Sequence, residues 1–157
     1  MQKNKDSLFD PLAEAYYTFT PQLSEKYITL VQETFNIQPN DNIIDLGCGS
    51  GDLALAHAKY SSFIQGIDIS KTMIEMAREK DAQQQVTWHH TSVEDIDLGE
   101  ETYNLIISFE SFHLFPNPQE IIKRCAKALK SGGVLGIGWR MYEWDIPLKK
   151  EIKETFA

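Results

Sequence analysis

The stretch Ile43 to Ala58, IIDLGCGSGDLALAHA, places a short apolar strand, a turn with three alternating glycines and a helical pattern in direct succession. A glycine permits a positive φ and lets a ligand approach the main chain without a Cβ in the way. The helix that follows directs its first N–H groups and the positive end of its dipole at whatever binds there. The stretch therefore predicts a site for an anionic group of a nucleotide-like ligand.

Strand-like and helix-like patterns alternate along the remainder of the chain. Apolar runs at 63–69, 86–90, 103–109 and 134–139 predict four more strands, and helical spacing of apolar residues predicts helices between them. Strands that alternate with helices form a parallel sheet that is covered on both faces. We therefore expect an α/β fold with a doubly wound, Rossmann-like, mostly parallel sheet, in which ligands bind where the strand order reverses.

The ends of the predicted helices carry local signals. Thr20-Pro21 suits the start of the first helix and Ser70 the cap of the third, while 117–120 (NPQE) has the form of a capping box and 131–133 (SGG) suits the end of the fourth helix. A last helix is predicted over 147–156. Apolar residues recur at helical spacing in the first helix, at Leu23, Tyr27, Leu30 and Val31. The apolar face of the third helix is Met73, Met76 and Ala77, and the residues predicted to face inward in the fourth are Ile121, Ile122, Cys125 and Leu129.

Composition narrows the class of partner. A chain of 157 residues suits one domain with a full core, and its net charge of -8 argues against nucleic-acid and anionic-membrane partners, since both require an excess of Lys and Arg. No apolar run approaches the length of a membrane span, and the first ten residues lack the apolar core of a signal peptide. Cys48 and Cys125 have neither metal-ligand nor redox spacing. We therefore expect a cytoplasmic protein without a metal site.

The charges around the glycine turn distinguish between nucleotide ligands. Asp52 occupies the sixth position of the dinucleotide fingerprint G-x-G-x-x-G, where an acid would repel a pyrophosphate, and no Gly-Lys-Ser/Thr follows as in a P-loop. Asp45 suits a ligand that carries an ammonium group. Asp68 lies about 20 residues after the first glycine, the spacing at which an acid meets ribose hydroxyls. The methionine end of S-adenosylmethionine, with a carboxylate, an ammonium and a positive centre, fits these charges better than a pyrophosphate does.

The ordered motifs of the chain resemble those of the class I S-adenosylmethionine-dependent methyltransferases, in the type 11 and type 12 small-molecule branch. IIDLGCGSGDLALAHA is similar to their first motif, GIDISKTMIEMARE to the second, VTWHHTSVEDIDL to the third, YNLIISFESFHLF to the fourth and RCAKALKSGGVLGI to the segment through the fifth strand. The likeness runs from Phe9 to Trp139. It implies a single domain over 1–157, with an N-terminal helical lid segment (1–38), a cofactor-binding core (39–141) and a C-terminal helix (142–157).

The resemblance also implies which residues hold the methionine and ribose parts of S-adenosylmethionine. Asp45 and the glycine loop would surround the methionine part, and Asp68 would accept the ribose hydroxyls. Ile69 would stack on adenine. The loop residues assigned to the cofactor on this ground are Gly47, Cys48, Gly49 and Gly51.

At the adenine end the sequence departs from the family pattern. Ser92 stands where family members carry an Asp that accepts from the adenine amino group, so the adenine contacts would shift to the Val93 main chain or the Glu94 side chain. Tyr16 or Tyr17, in FDPLAEAYY, would cover the cofactor; the alternative is an amphipathic helix that packs its aromatic residues.

Residues that could act in methyl transfer lie just past the fourth predicted strand, in SFESFHLF. Transfer from a sulfonium is an in-line displacement, so its main requirement is a nucleophile held close to the methyl group, and a base helps where the nucleophile must lose a proton. His113 is the preferred base because an unperturbed His titrates near neutrality, and Glu110 is the second candidate. A His among Phe and Leu side chains can equally be a packed residue. Ser108 is assigned to the cofactor site, while His89 and His90 alternate along a strand and cannot share one site.

The sequence favours a methyltransferase that uses S-adenosylmethionine and acts on a small-molecule acceptor. A non-catalytic nucleoside-binding or assembly module is the alternative, because Ser92 departs from the family pattern and the late strands of the family are missing. An NAD-dependent oxidoreductase ranks last because Asp52 breaks the fingerprint. The fifth strand would be an exposed apolar edge, so a truncated chain, a naturally minimal domain and a homodimer through the fifth strand or the C-terminal segment are all left open.

Overall fold

A computed structural model describes residues 10–13, 15, 23–61 and 63–139 of the chain. These residues form one parallel sheet in the order β3-β2-β1-β4-β5. The strands are β1 (Asn42–Leu46), β2 (Phe63–Asp68), β3 (Val86–His90), β4 (Tyr103–Phe109) and β5 (Leu129–Gly138). The chain moves outward from β1 to one edge and then returns to start β4 on the other side, which confirms the doubly wound sheet.

Helices cover both faces of this sheet, as predicted. They are α1 (Glu25–Phe35), α2 (Asp52–His57), α3 (Lys71–Lys80) and α4 (Pro118–Ala128), with short 3-10 helices at Asp10–Leu12 and Phe112–Leu114. Helices α1, α2 and α3 share one core with the sheet, and α4 shares the other with the β3–β4 connection. The first core includes Val31, Ile43, Leu53, Ile74, Trp88 and Ile107, and the second includes Ile44, Leu46, Ile67, Val93, Ile106 and Ile121.

Helix α1 departs from its predicted start, and one of its apolar residues faces solvent. Its N-cap is Ser24, whose hydroxyl accepts from the Tyr27 N–H at 3.2 Å; Thr20 and Pro21 lie outside the described residues. Val31 is buried, but Leu30, which helical spacing groups with Val31, is 58% exposed. Successive helical residues lie about 100° apart, so a stripe centred on Val31 turns Leu30 toward solvent.

Both ends of α4 also differ from expectation. Asn117 makes no side-chain cap; its amide donates instead to Glu94 Oε1 at 2.8 Å, so the capping-box prediction is wrong. The helix ends at Ala128 rather than at 131–133, because the Ala128 carbonyl accepts from the Thr102 N–H and the chain enters β5 at once. Ile122, predicted to face inward, is 43% exposed beside the buried Ile121.

Strand β5 lies at the edge of the described sheet. It pairs with β4, and the register shifts between Tyr103 and Leu105, where 130–133 form an irregular stretch with Gly132 at φ +80°. Asn104 strengthens this edge, since its Oδ1 accepts from the Asn42 N–H and from Lys130 Nζ. The homodimer through β5 stays a prediction, and the helix predicted over 147–156 lies outside the described residues.

Candidate functional site

The glycine loop follows β1 at the point where the strand order reverses. Strand β1 lies between β2 and β4, so the loop at its carboxyl end faces the crevice that opens between the two halves of the sheet. Gly47, Gly49 and Gly51 adopt φ values of +73°, +54° and +79°. Because L-residues with a Cβ rarely adopt this region, the backbone conformation favours glycine at all three positions.

The three glycines differ in what surrounds them. A Cβ on Gly47 would lie 2.5 Å from the Ser111 Cβ, and a Cβ on Gly51 would lie 2.4 Å from the Trp88 ring. A Cβ on Gly49 would meet nothing within 4 Å. Gly47 and Gly51 are therefore fixed by close packing inside the protein, whereas Gly49 presents bare main chain to open space, where a ligand can approach.

The Asp68 carboxylate joins this loop to the end of β2. Its Oδ2 accepts from the Gly49 N–H at 2.9 Å and its Oδ1 accepts from the Ser70 N–H at 2.8 Å. The Gly47 and Cys48 N–H groups both donate to the Ile67 carbonyl. The loop is thus held in place by the end of β2. Asp68, which is predicted to accept the ribose hydroxyls, lies beside Gly49 of the loop that is predicted to hold the ligand.

Two carboxyl groups lie close together under the loop. Asp45 is only 3% exposed, and burial, with a smaller effect of the neighbouring Asp68 charge, raises the pKa of Asp45 to about 7. Burial also raises the pKa of Asp68, against the opposing effect of its bonds from Ser70 and Gly49. The pKa of the Cys48 thiol is raised well above its ordinary value by burial and by both carboxylates. Negative charge is costly here, so a cationic group would be stabilised.

An N-terminal residue that sequence reasoning missed lies against the same strand end. The Asp10 carboxylate accepts from the Ser70 hydroxyl and from the Thr72 N–H, at the start of α3, and the Ser70 bond is the main reason that the pKa of Asp10 is lowered. Ala13 is fully buried, so this segment packs on the domain. No local signal marks Asp10, because its partners follow 60 and 62 positions later. Tyr16 and Tyr17 lie outside the described residues.

The residues assigned to adenine lie in a tight turn after β3. The Ser92 hydroxyl accepts from the Glu94 N–H at 3.2 Å, and the Ser92 carbonyl accepts from the Asp95 and Ile96 N–H groups. The Val93 side chain is buried, whereas its N–H has no acceptor among the described residues.

Ile69, the residue assigned to adenine stacking, is half-buried at the end of β2. Its carbonyl lies 3.1 Å from His90 Nε2, while His89 Nε2 lies 3.0 Å from Gln65 Oε1. The two histidines therefore have separate partners, as the strand alternation predicted. Among the described residues, no group of three or more acids, histidines or cysteines is arranged to hold a metal ion.

The candidates after β4 are spread over different environments. Ser108 is fully buried with its Oγ 2.8 Å from Ser111 Oγ, so in this structure it supports the loop rather than facing a ligand. Glu110 is half-buried, has φ +61°, and donates its N–H to the Gly138 carbonyl. His113 is exposed, and its Nδ1 accepts from Trp139 Nε1 at 3.3 Å. This bond directs the Nδ1 lone pair of His113 at Trp139 in this structure.

The negative charge of Asp52 is compensated by neighbouring groups, which its position in the sequence does not reveal. Lys80 Nζ lies 2.8 Å from Asp52 Oδ1 and also donates to the Ser50 carbonyl, while Ser50 Oγ donates to Asp52 Oδ2. The acid is therefore compensated, and its repulsion of a pyrophosphate is weaker than the fingerprint argument assumes. Helix α2, with six residues, also has a weaker dipole than the sequence pattern implied.

A cavity of about 270 Å³ lies away from this site, near the amino ends of β1 and β2. It contains none of the predicted site residues, and its lining is formed by Gln32, Ile37, Pro39, Ala58, Lys59, Tyr60 and Ser61. Among the described residues, no helix is both long and apolar enough to cross a bilayer.

The fold and the loop geometry define a doubly wound α/β domain with a glycine loop at the point where the strand order reverses, and comparison with known proteins gives its family. A model of the methyltransferase domain family matches residues 43–133, more than half of the chain, and the chain belongs to that family. The ubiquinone biosynthesis O-methyltransferase of Coxiella burnetii is 32% identical over 96 residues, which cover 60% of this chain and 41% of that protein. The chain thus spans less than half the length of this relative.

Solved structures agree on the fold. A Methanococcus maripaludis protein assigned to the S-adenosyl-L-methionine-dependent methyltransferases superposes with a TM-score of 0.73 at 24% identity, covering 99% of this chain and 72% of that one. The Haemonchus contortus phosphoethanolamine N-methyltransferase 1, in complex with phosphoethanolamine and S-adenosylhomocysteine, gives a TM-score of 0.70 at 13% identity, covering 82% of this chain and 31% of that one.

Proposed function

We propose that this chain is an S-adenosylmethionine-dependent methyltransferase that acts on a small-molecule acceptor. The observation that carries the proposal is the environment of Gly49: bare main chain facing open space, beside Asp68 and the buried Asp45. A ligand that brings an ammonium group and a sulfonium would lower the pKa values that burial raises. A pyrophosphate would raise them further.

The residues present fit this cofactor. Asp45 and the loop around Gly49 would hold its amino-acid end, Asp68 the ribose hydroxyls, and Ile69 and the Val93 N–H the adenine ring. When bound, S-adenosylmethionine supplies an activated methyl group. The protein's task is then to hold the acceptor in line and to exclude water, which favours the loss of charge when an anionic nucleophile reacts with a cation.

His113 and Glu110 are the two candidates for the group that would take a proton from the acceptor. The Nδ1 lone pair of His113 is occupied by the bond from Trp139. Glu110 lies at the carboxyl end of β4, half-buried, on the side of the crevice opposite to Asp68 in the strand order.

We also propose a cytoplasmic location, which the two unpaired cysteines Cys48 and Cys125 support.

Calorimetric titration with S-adenosylhomocysteine tests the proposal on the wild-type chain and on Gly49→Val. A matched control is Gly132→Val, because Gly132 lies in β5, has a similar positive φ (+80°), and would likewise leave an added Cβ with no neighbour within 4 Å. We expect binding to the wild-type chain and to Gly132→Val, and at least about tenfold weaker binding to Gly49→Val. No binding to the wild-type chain, or equal losses in both variants, would refute the site.

The alternative is a nucleoside-binding module without turnover, which the occupied lone pair of His113 favours. Binding of S-adenosylhomocysteine without methylation across a broad panel of phenols, acids and amines would support it. Displacement by NAD, with none by S-adenosylmethionine, would instead indicate a dinucleotide enzyme.

A further inference from the structure

Arg124, on α4, binds the turn that follows β3 through three main-chain carbonyls. Its Nη1 donates to Val93 O at 2.7 Å and to Glu94 O at 3.0 Å, and its Nη2 donates to Ile96 O. No ion pair of Arg124 with a carboxylate occurs among the described residues, where the ion pairs involve lysines. The fixed fork of the guanidinium is therefore directed at the main chain of one turn.

The contacts of Arg124 fix the direction in which this turn presents its groups. Residues 92–96 form a single helical turn, in which the Asp95 and Ile96 N–H groups donate back to the Ser92 carbonyl. Carbonyls of such a turn point to its carboxyl end, where a cation is stabilising, and the first N–H groups point to the opposite end. With its carbonyls held on Arg124, the turn presents the unpaired Val93 N–H away from α4.

A second contact, from the N-cap residue of α4, acts on the same turn. The Asn117 amide donates to Glu94 Oε1 at 2.8 Å, so α4 and its N-cap residue hold both the main chain and a side chain of residues 92–96. Asn117 directly follows the 110–116 segment that carries Glu110 and His113. The adenine-side turn and the acceptor-side segment are therefore attached to one helix.

We propose that Arg124 is a positioning residue for purine recognition: it holds the 92–96 turn so that the Val93 N–H meets an acceptor nitrogen of the adenine ring. This rests on the proposed function. A ring nitrogen that accepts, as in adenine, would satisfy the Val93 N–H. A ring nitrogen that carries a hydrogen, as in hypoxanthine, would leave two donors facing each other.

The test compares affinities for S-adenosylhomocysteine and its inosine analogue, S-inosylhomocysteine, by calorimetry. The variants are Arg124→Met, Arg124→Lys and the control Lys127→Met. Lys127 lies one turn away on the same helix and pairs with Glu100, another residue of the β3–β4 connection, so its loss removes a like charge without touching the 92–96 turn. Arg124→Lys keeps the charge but not the fork, and it supplies the measurement if Arg124→Met does not fold.

We expect the wild-type chain and Lys127→Met to bind S-adenosylhomocysteine at least about tenfold more tightly than S-inosylhomocysteine. In Arg124→Met this ratio of affinities should fall to about threefold or less, and in Arg124→Lys it should lie between these values. A merely structural role would weaken both ligands equally and leave the ratio unchanged. An unchanged ratio in both Arg124 variants overturns this inference and leaves the proposed function standing, as does a wild-type chain that binds both ligands equally. A wild-type chain that binds neither overturns both.

Discussion

The Ser111 hydroxyl donates a hydrogen bond of 2.8 Å to the carbonyl oxygen of Leu46, the last residue of β1. The Ser111 Oγ also lies 2.8 Å from the Ser108 Oγ, and because the Ser111 proton is used on Leu46, Ser108 is the donor of that bond. Through these two hydrogen bonds, the segment after β4 is attached to Leu46, the residue that directly precedes the glycine loop. It also leaves no room for a side chain on Gly47.

A double-mutant cycle between Gly47 and Ser111 should therefore be non-additive. Gly47→Ala places a Cβ at φ +73° and 2.5 Å from the Ser111 Cβ, and should lower the free energy of unfolding by about 3 kcal/mol or more. Ser111→Gly loses a buried hydrogen bond and should cost about 1–3 kcal/mol. In the double variant the clash is relieved, so its cost should fall below the sum by at least about 1 kcal/mol.

Denaturant unfolding of the four proteins measures this coupling. Gly132→Ala serves as the control, since it has the same backbone strain without a contact and should cost about 1–2 kcal/mol with or without Ser111→Gly. Additive costs for Gly47→Ala and Ser111→Gly would show that the two residues do not constrain each other.

The buried Asp45 should make stability fall as the pH rises. Its pKa in the folded state is about 7 against an ordinary value of 3.8, so between these values the folded chain holds a proton that the unfolded chain has released. The contribution of Asp45 to the free energy of unfolding is therefore largest at low pH and is lost as the pH rises toward about 7. Above about pH 7 the free energy of unfolding changes little through Asp45. The loss for Asp45 is at most about 4 kcal/mol.

Asp45→Asn should remove most of this dependence. We expect the variant and the wild-type chain to differ little near pH 4 and the variant to be more stable at pH 8, measured by urea unfolding across the range. A residual slope of the same sign is expected from Asp68, whose pKa is also raised. Parallel pH profiles for the two proteins would contradict the burial argument for Asp45.

His57 should produce the opposite dependence, on the acid side. His57 is buried on α2, with Nδ1 2.8 Å from the Leu53 carbonyl, and its Nε2 makes no well-formed bond to any residue that the structure describes. Burial lowers the pKa of His57, opposed only in part by the nearby Leu53 and Ile28 carbonyls. The unfolded chain therefore binds a proton before the folded chain does as the pH falls below about 6.5.

His57→Leu is the variant that tests this dependence. Relative to the wild-type chain, it should be nearly neutral at pH 8 and should gain stability as the pH falls from 6.5 to 5, with a slope of at most about 1.4 kcal/mol per pH unit. Thermal unfolding at a series of pH values provides the comparison. A wild-type chain that keeps its stability relative to the variant at pH 5 would show that the folded state accommodates the charged ring.

The strands and the glycine loop could be predicted because their signals are local. Apolar runs such as the one that ends at Leu46, and glycines that recur at every second position, reflect burial and backbone conformation within a few residues. Ile122 was placed wrongly, and Leu30 was grouped with Val31, because a helical period gives the width of an apolar stripe more reliably than its centre. Asn117 was misplaced because its amide finds Glu94, a partner 23 positions earlier that competes with the local cap.

The supporting residues of the site could not be predicted from the sequence. Asp10, Ser111 and Arg124 act on partners that are 28–65 positions away, and each is a common residue type in an ordinary local setting. Their effect depends on which loops the sheet order brings together. The ion pair that compensates the charge of Asp52 was missed for the same reason, since Lys80 reaches Asp52 from the end of α3.

The two main-chain donors on Asp68 set a limit on what else that side chain can bind. An ionised carboxylate has about four lone-pair positions, two on each oxygen. The protein fills one on Oδ1 through Ser70 and one on Oδ2 through Gly49, which leaves a single acceptor position on each atom. Two adjacent hydroxyls on one sugar ring match that remaining capacity, whereas a deoxy sugar would leave one position empty.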